Sequence, residues 1–509
     1  MSLFSFSFFV FLCVGVLVYY LLPGRWQWAC LLVLSGGFYA CAGPAGLLFP
    51  AVTIVTTWLG GLAMARVDRL CPTQGCTPAE KKARRAAAKA KKRRFFWAVL
   101  GLNFGVLAWL KYVGPLWGRT GLLLPLGISF YTFSAMGYLI DVYRGTVQAQ
   151  RSLPRLALFV GFFPQLLQGP IVRWDQTGPQ LLEPHSFRLT ALQHGIQRML
   201  WGYFKKMVIA DRAAVLVDQV FGSYDAYPGS VLAVGVLFYS LQQYADFSGG
   251  IDVVLGAAEL FGIRLPENFT RPYFSHSLSE FWRRWHISLG AWMRDYLFYP
   301  LSISRPMARL GKWAKAHLGR SVGRVLPVCL ANVAVFLVVG VWHGASAHYA
   351  VWGLYNGLVI AGAALLEPLF DRMKTALRVN VHSRGWRVFQ ILRTFAVVNV
   401  GWYFDRALTV RAGAEMLVRT FARPDIAALG QGILLQLGLT GRDFLVLAVA
   451  TAVLLFVSVL QERGVSIRTG LDARPLWLRW TCYTGLLLAV LGLAAQGTDL
   501  TGGFLYAQF

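Results

Sequence analysis

The chain is 509 residues long, 56% hydrophobic and only 14% charged, with a mean hydropathy of +0.52. Soluble globular domains carry about 25% charged residues, so this chain cannot cover itself with polar surface and lipid must be its solvent. A net charge of +26 would point to nucleic acid in a soluble protein; here the positive-inside rule, which loads Lys and Arg onto cytoplasmic loops, accounts for it, and no nucleic-acid partner is expected.

The expected fold class is an all-α polytopic membrane protein, a single membrane domain over residues 1–509, multi-pass in the cell (plasma) membrane. Eighteen Trp and twenty Tyr suit anchoring at both membrane faces. A spanning helix needs about 20 mainly apolar residues. The first such run is Leu3 to Leu22; it lacks a basic leader and a small-residue cleavage site and is read as a retained helix. Further apolar stretches fall near 26–43, 47–65, 95–113, 119–140, 153–172, 192–212, 230–247, 249–263, 325–342, 347–366, 386–404, 441–460 and 476–496. Some are short, polar or interrupted and suit re-entrant or bundle-buried segments, so about 11–13 true spans are expected.

Between the third and fourth spans, Arg66 to Arg94 carries eleven Lys or Arg against Asp68 and Glu80. Its core, EKKARRAAAKAKKRR, favours helix by propensity and is too polar to bury. The charge makes this segment (66–94) a cytoplasmic loop, puts the N-terminus outside, and gives it attraction for anionic lipid headgroups. Seven Cys are scattered along the chain, with Cys71 and Cys76 in a CPTQGC segment that is not CxxC. No second pair exists for a zinc site. Neither a structural metal nor a disulfide framework is expected.

Three segments hold polar groups where apolar ones would be cheaper. In YSLQQYADFSGGIDVVLG (239–256), Gln242, Gln243, Asp246 and Asp252 interrupt an apolar run, and Gly249 and Gly250 are expected to break or bend it. A buried carboxylate needs a partner, so Asp246 is expected to pair with an Arg or to orient a His; structural support competes with a functional role. Residues 264–304 form an amphipathic segment too polar to span. Within it, in SLSEFWRRWHISLGAWMRDYLFYPL (277–301), Leu278, Phe281, Trp285, Leu289, Trp292 and Tyr296 recur at three- and four-residue steps, one apolar face of a helix. Arg283 and Arg294 share another face. His286 lies beside the stripe, either as a functional group or as an interfacial His bonded to a neighbour. Lastly, Val325 to Trp342 is an apolar run ending in VWHGAS, which places His343 at a junction followed by Gly344, Ala345 and Ser346. An ionisable group at membrane depth is costly and is a functional candidate; the competing reading is a helix-end His capping carbonyls near the headgroups. No GxSxG, Walker A, HExxH or strand-linked GxGxxG motif is present. Two His without an obvious nucleophile suit general-base chemistry better than a covalent acyl-enzyme.

These segments, with LPLGISFYTFSAMGYLIDVYRG (124–145), FVGFFPQLLQGPIVR (159–173), GYFKKMVIADR (202–212), ENFTRPYFSHSLSEFWRRWHISLGAWMRDYLFYPL (267–301), GVWHGAS (340–346) and the closing FLYAQF (504–509), resemble in order and spacing the membrane-bound O-acyltransferase family. The closer likeness is to its bacterial branch of alginate O-acetyltransferases and teichoic-acid D-alanyl transfer proteins. The resemblance implies helices ringing a thinned central funnel or tunnel, with a thioester donor reaching it from the cytoplasm and an acceptor from the outer face. It also implies two functional histidines, here His286 and His343, with His343 at the catalytic position. His343 is expected to act as general base, and His286 to position the donor or polarise its carbonyl. Arg283 and Arg284 are candidates for donor phosphates, with snorkelling to lipid as the alternative; Trp285, Asp246 and Trp342 complete the candidate substrate-lining set. No bound cofactor is implied, only a donor such as acetyl-CoA or an acyl-carrier thioester. Implied partners are a cell-surface polysaccharide acceptor, an extracytoplasmic accessory protein, membrane lipid and an acyl-carrier protein. Departures are SISRP (302–306) where alginate-type chains run Gly-Gly-Asn, and YFDR (403–406) where an FFR-like motif is usual. A polysaccharide or lipid-linked sugar transporter is the competing class, but it should show internal repeats, and none is visible.

Overall fold

The computed structural model describes residues 2–41, 43–71, 77–113 and 127–494. Cys76, residues 124–126 of the first family-like motif, part of the 119–140 stretch and the closing FLYAQF lie outside these. Regular structure among the described residues is helical, apart from one isolated antiparallel bridge between Phe269 and Trp285.

Five helices are long and apolar enough to cross a membrane: Leu48–Leu70, Pro78–Val113, Arg320–His343, Gly441–Glu462 and Leu476–Leu493. A sixth span arises if Ala347–Leu365 and Glu367–Ala376, bent by 58° at their junction, count as one. The chain is thus a multi-pass membrane protein. Several expected stretches form shorter helices, such as Phe6–Leu21 with 16 residues and Gly24–Ala40 with 17. The stretch near 153–172 is divided into Leu153–Gly161 and Phe163–Gln168.

The basic segment, expected as a loop whose core favours helix, is helical from Pro78 onward. Thr77 and Glu80 form a reciprocal capping box, and the helix they start runs Pro78–Ala108 without interruption. Pro occupies its first turn, where a missing N–H costs nothing. With its continuation to Val113 this is 36 residues, about 54 Å at the α-helical rise. A hydrocarbon core is about 30 Å thick, so the Lys- and Arg-rich first half extends beyond it while the apolar second half crosses.

The described residues form two compact units, Met1–Met199 with Ile251–Pro266, and Leu200–Gly250 with Glu267–Phe509. In the first, Leu48–Leu70 packs on Ile128–Arg144 and Pro78–Ala108. Arg198 Nε donates to Asp252 Oδ1 at 3.0 Å, which supplies one of the polar interruptions with its partner. In the second, Phe204, Val208, Ile209, Ala245, Leu447 and Leu454 belong to one buried cluster.

Two expectations are corrected here. The stretches 230–247 and 249–263 are not separate; Gly229–Leu260 is one 32-residue helix that passes straight through Gly249 and Gly250. Tertiary packing explains the glycine at 249. A Cβ there would stand 2.8 Å from the Gly202 carbonyl oxygen and 3.2 Å from the Lys206 nitrogen. Gly249 therefore permits close approach rather than a bend. The second correction concerns Asp246, which pairs with a lysine, Lys206. Lys206 Nζ lies 2.5 Å from Asp246 Oδ1 and 2.7 Å from Asp211 Oδ1. It comes from the π-helical turn Phe204–Ala210, whose extra residue per turn carries both Lys205 and Lys206 into buried positions.

The Arg320–His343 and Ala347–Leu365 helices are the most closely packed pair. A Cβ on Gly340 would stand 3.2 Å from Gly353 Cα and collide with the Tyr349 carbonyl oxygen; one on Gly353 would collide with that of Phe336. Backbone meets backbone because neither position has a side chain. Gly353→Val is therefore expected to lower the thermal unfolding midpoint of the detergent-solubilised protein by several degrees and to cut its yield. Valine at Gly362, where a Cβ meets nothing within 4 Å, serves as control. An unchanged midpoint for Gly353→Val would contradict the packing.

Candidate active site

Both candidate histidines lie in the second unit. His343 is the last residue of the Arg320–His343 helix, followed by Gly344 in extended conformation. The run up to it is apolar because it crosses hydrocarbon; it ends there because the chain turns at Gly344 before restarting at Ala347. The His343 ring is 4% exposed by residue. It lies 5.0 Å from the Trp342 centroid, 5.0 Å edge-on from Trp352, and 6.1 Å from Tyr349 in stacked orientation. A Cβ on Gly344 would be 2.5 Å from Tyr349 Cε2, so this glycine is what lets Tyr349 reach His343.

His286 occupies a different kind of position, and the expectation of one helix over 277–301 is overturned. Leu278–Arg284 ends at Trp285, which bridges to Phe269; His286 adopts φ 46°, and Ile287–Met293 starts anew. A π-helical turn, Arg294–Phe298, follows. The apolar stripe persists across the break: Leu278, Phe281, Trp285, Leu289, Trp292 and Tyr296 are all buried. Arg283 and Arg294 are exposed. Periodicity reports which side chains are buried, not whether the backbone between them is continuous.

The break is held by Asn268, which is fully buried. Its carbonyl oxygen accepts from Ile287 N at 3.0 Å, and its side-chain Oδ1 accepts from Ser288 N at 2.9 Å. The same Oδ1 is 3.3 Å from His286 Nδ1. An oxygen that already accepts from an amide N–H presents only lone pairs to the imidazole. It therefore selects the tautomer protonated at Nδ1 and makes Nε2 the basic atom. The Phe247 ring lies edge-on to His286 at 4.9 Å. Burial pushes the His286 pKa down to about 3, so the ring is neutral at physiological pH.

A continuous series of aromatic contacts leads from one histidine to the other. Phe247 meets Phe269 at 5.0 Å, Phe269 meets Trp285 at 5.1 Å, and Trp285 meets Trp402 at 5.6 Å. Trp402 stacks on Trp352 at 6.5 Å, and Trp352 touches His343. Trp282 joins this group 5.4 Å from Trp352, and its Nε1 donates to Asn356 Oδ1 at 3.0 Å. Trp285 is thus the centre of a supporting wall, 2% exposed. Of the two arginines, Arg284 is held by Glu280 at 2.7 Å and Glu462 at 2.9 Å. Arg283 is exposed and makes no ion pair among the described residues. Asp246 serves the Lys206 pair.

A model of the membrane-bound O-acyltransferase family matches residues 148–400, which contain every one of these groups except Trp402 and Glu462. A probable alginate O-acetylase of Pseudomonas fluorescens is 33% identical over 455 residues, 88% of this chain and 80% of its own. The chain belongs to the membrane-bound O-acyltransferase family. Other relatives of this O-acyltransferase are a peptidoglycan O-acetyltransferase of Helicobacter pylori, 30% identical over 63% of this chain and 64% of its own. A teichoic acid D-alanyltransferase of Bacillus subtilis is 28% identical over 55% and 67%. Membership makes the enzyme class plain: acyl transfer to a hydroxyl.

Sequence reading missed Asn268, Trp352, Asn356 and Trp402. Asn268 carried a readable signal, a polar residue just ahead of FTRPYF in a segment otherwise supplying aromatic packing. The tryptophans carried none, since a wall Trp and a lipid-facing Trp look alike in sequence.

Proposed function

We propose that this O-acyltransferase moves a short acyl group, acetyl, from a cytoplasmic thioester to hydroxyls of an extracytoplasmic cell-surface polysaccharide. The observation that carries the catalytic part is the placement of His343. It is a buried imidazole at the end of an apolar span, against two tryptophans and beside a glycine whose missing Cβ lets Tyr349 pack on the ring. Acyl transfer needs the hydroxyl proton removed as the new C–O bond forms, and a neutral imidazole does this near neutral pH. His343 takes that role. His286, neutral and fixed in tautomer by Asn268, carries a lone pair at Nε2 and positions the donor by accepting from one of its N–H groups rather than at its thioester carbonyl. Arg283 is the cation offered to donor phosphates, and no bound cofactor is needed. Acetyl-CoA or a carrier-protein thioester supplies the acyl group, and an extracytoplasmic accessory protein works with the acceptor.

Acetyl is preferred because the chain is 30–33% identical to five probable alginate O-acetylases over 81–98% of its length. The second reading, D-alanyl transfer, is favoured by the Bacillus subtilis match and by the basic helix at Pro78, whose charge suits an acidic carrier protein. Mass spectrometry of envelope polymers from wild type and a deletion strain, before and after mild base, separates them. Loss of a base-labile acetyl increment is the expected result. Loss of an alanine ester with acetylation intact would overturn it in favour of the second reading.

A further inference from the structure

The second unit holds an apolar groove of about 560 Å³ whose lining includes neither His286 nor His343. It runs beside the Gly441–Glu462 helix, which lines it from Phe444 through Thr451 to Ser458. That is about 21 Å of helix at the α-helical rise, more than the roughly 15 Å depth of one leaflet. Leu237 on one side and Leu455 on the other are 49% and 56% exposed. Because Leu455 lies on the Gly441–Glu462 membrane span, what it is exposed to is hydrocarbon. Tyr244 and Tyr273 form part of the opposite wall, with their rings 6.3 and 6.2 Å from Trp285.

The groove has one charged lining residue, Arg271. Its Nε donates to Glu462 Oε2 at 2.6 Å, at the last residue of the span. Arg284 Nη1 also donates to Glu462, and Arg284 Nη2 pairs with Glu280. Arg393 Nη2 donates to the His276 carbonyl. Arg271 and Arg284 thus pair with the two carboxylates, and Arg393, bonded to a backbone carbonyl of the same segment, adds a third guanidinium, so these five side chains carry one positive charge in excess. A guanidinium has five N–H donors, and among the described residues only Nε–H of Arg271 is used. Arg271 is also held at φ 52°, a left-handed conformation that costs a non-glycine residue strain.

We propose that this groove is a binding site for an anionic diacyl phospholipid, with an acyl chain along Phe444–Ser458 and the phosphate on the Nη groups of Arg271. The apolar shaft and the cationic end match the two parts of such a lipid in the order they have in a leaflet. The excess positive charge selects an anionic over a zwitterionic headgroup. No covalent step is involved, and the site is independent of which acyl group the enzyme transfers.

The full chain is reconstituted in vesicles of equal parts phosphatidylglycerol and phosphatidylcholine, then extracted and stripped stepwise with detergent. Lipid retained per protein is measured by native mass spectrometry. Wild type is expected to keep phosphatidylglycerol over phosphatidylcholine by about fivefold, the factor one cation gives near an anionic headgroup. Ala448→Trp with Leu241→Trp, which fills the shaft, should lose most retained lipid. Arg271→Gln, which leaves the shaft open, should retain lipid without the preference. Equal retention of the two lipids by wild type would mean ordinary boundary lipid and overturn the site. Wild-type preference in Arg271→Gln, or wild-type retention in the filled groove, would do the same. A dimer that the tryptophans disrupt would assign the groove to a second copy of the chain instead.

Discussion

Replacing His343 by alanine is expected to lower acyl transfer by about 10²–10⁴-fold, the contribution of a positioned general base, while the protein still inserts and folds. The ring sits at a helix terminus, so its loss breaks no intrahelical ladder. It does open a cavity beside Trp342 and Trp352, a change that glutamine would partly fill. His343→Gln is therefore the sharper variant: it keeps much of the volume but cannot take up a proton near neutral pH. Both should lose turnover with little change in donor affinity, because proton removal stabilises only the transition state. Turnover by solubilised enzyme on a labelled thioester donor measures this, with size-exclusion profile and melting midpoint as fold controls. Near-normal turnover in His343→Gln would remove His343 from the chemistry.

Much of the architecture was legible because lipid imposes it. A run from Val325 to Trp342 has one cheap conformation in hydrocarbon, a helix whose backbone groups are satisfied internally. The helix found is Arg320–His343. The same logic located Gly441–Glu462 and Leu476–Leu493 within a few residues. What the sequence concealed lies where long-range partners decide. His286 looked helical because its neighbours keep helical spacing. The backbone leaves the helix there because Asn268, eighteen residues earlier, offers one oxygen to the Ser288 amide and another to that of Ile287. Gly249 and Gly250 looked like breakers because glycine is the poorest helix former after proline. Both lie inside one helix, and at Gly249 the Gly202 carbonyl approaches too closely for a Cβ, so packing there requires the glycine. Asp246 had no readable partner because Lys206 reaches it from a π-helical turn, a geometry that residue patterns do not announce.

His286→Ala is expected to cost about 10²-fold or more in turnover, and its backbone lets chemistry be told from strain. At φ 46° alanine is disfavoured and glycine is at home, so His286→Gly should fold at least as well as His286→Ala. If the imidazole itself handles the donor, both variants lose activity alike. If the residue only shapes the break, His286→Gly should recover most of the rate, and that result would end its assignment to donor positioning. Acidity gives a second, independent readout. The folded pKa is pushed down to about 3 from an ordinary 6.5 by burial. Between those values the unfolded chain binds a proton at this residue that the folded chain does not, so stability increases with pH across the window. Its contribution is full above about 6.5 and declines as pH falls toward 3. The melting midpoint of wild type should therefore drop more steeply on acidification through this range than that of His286→Gln, which has nothing to protonate. Parallel pH profiles for the two proteins would mean the ring is solvated rather than buried against Phe247. The fixed neutral imidazole proposed to position the donor would then be lost to the mechanism.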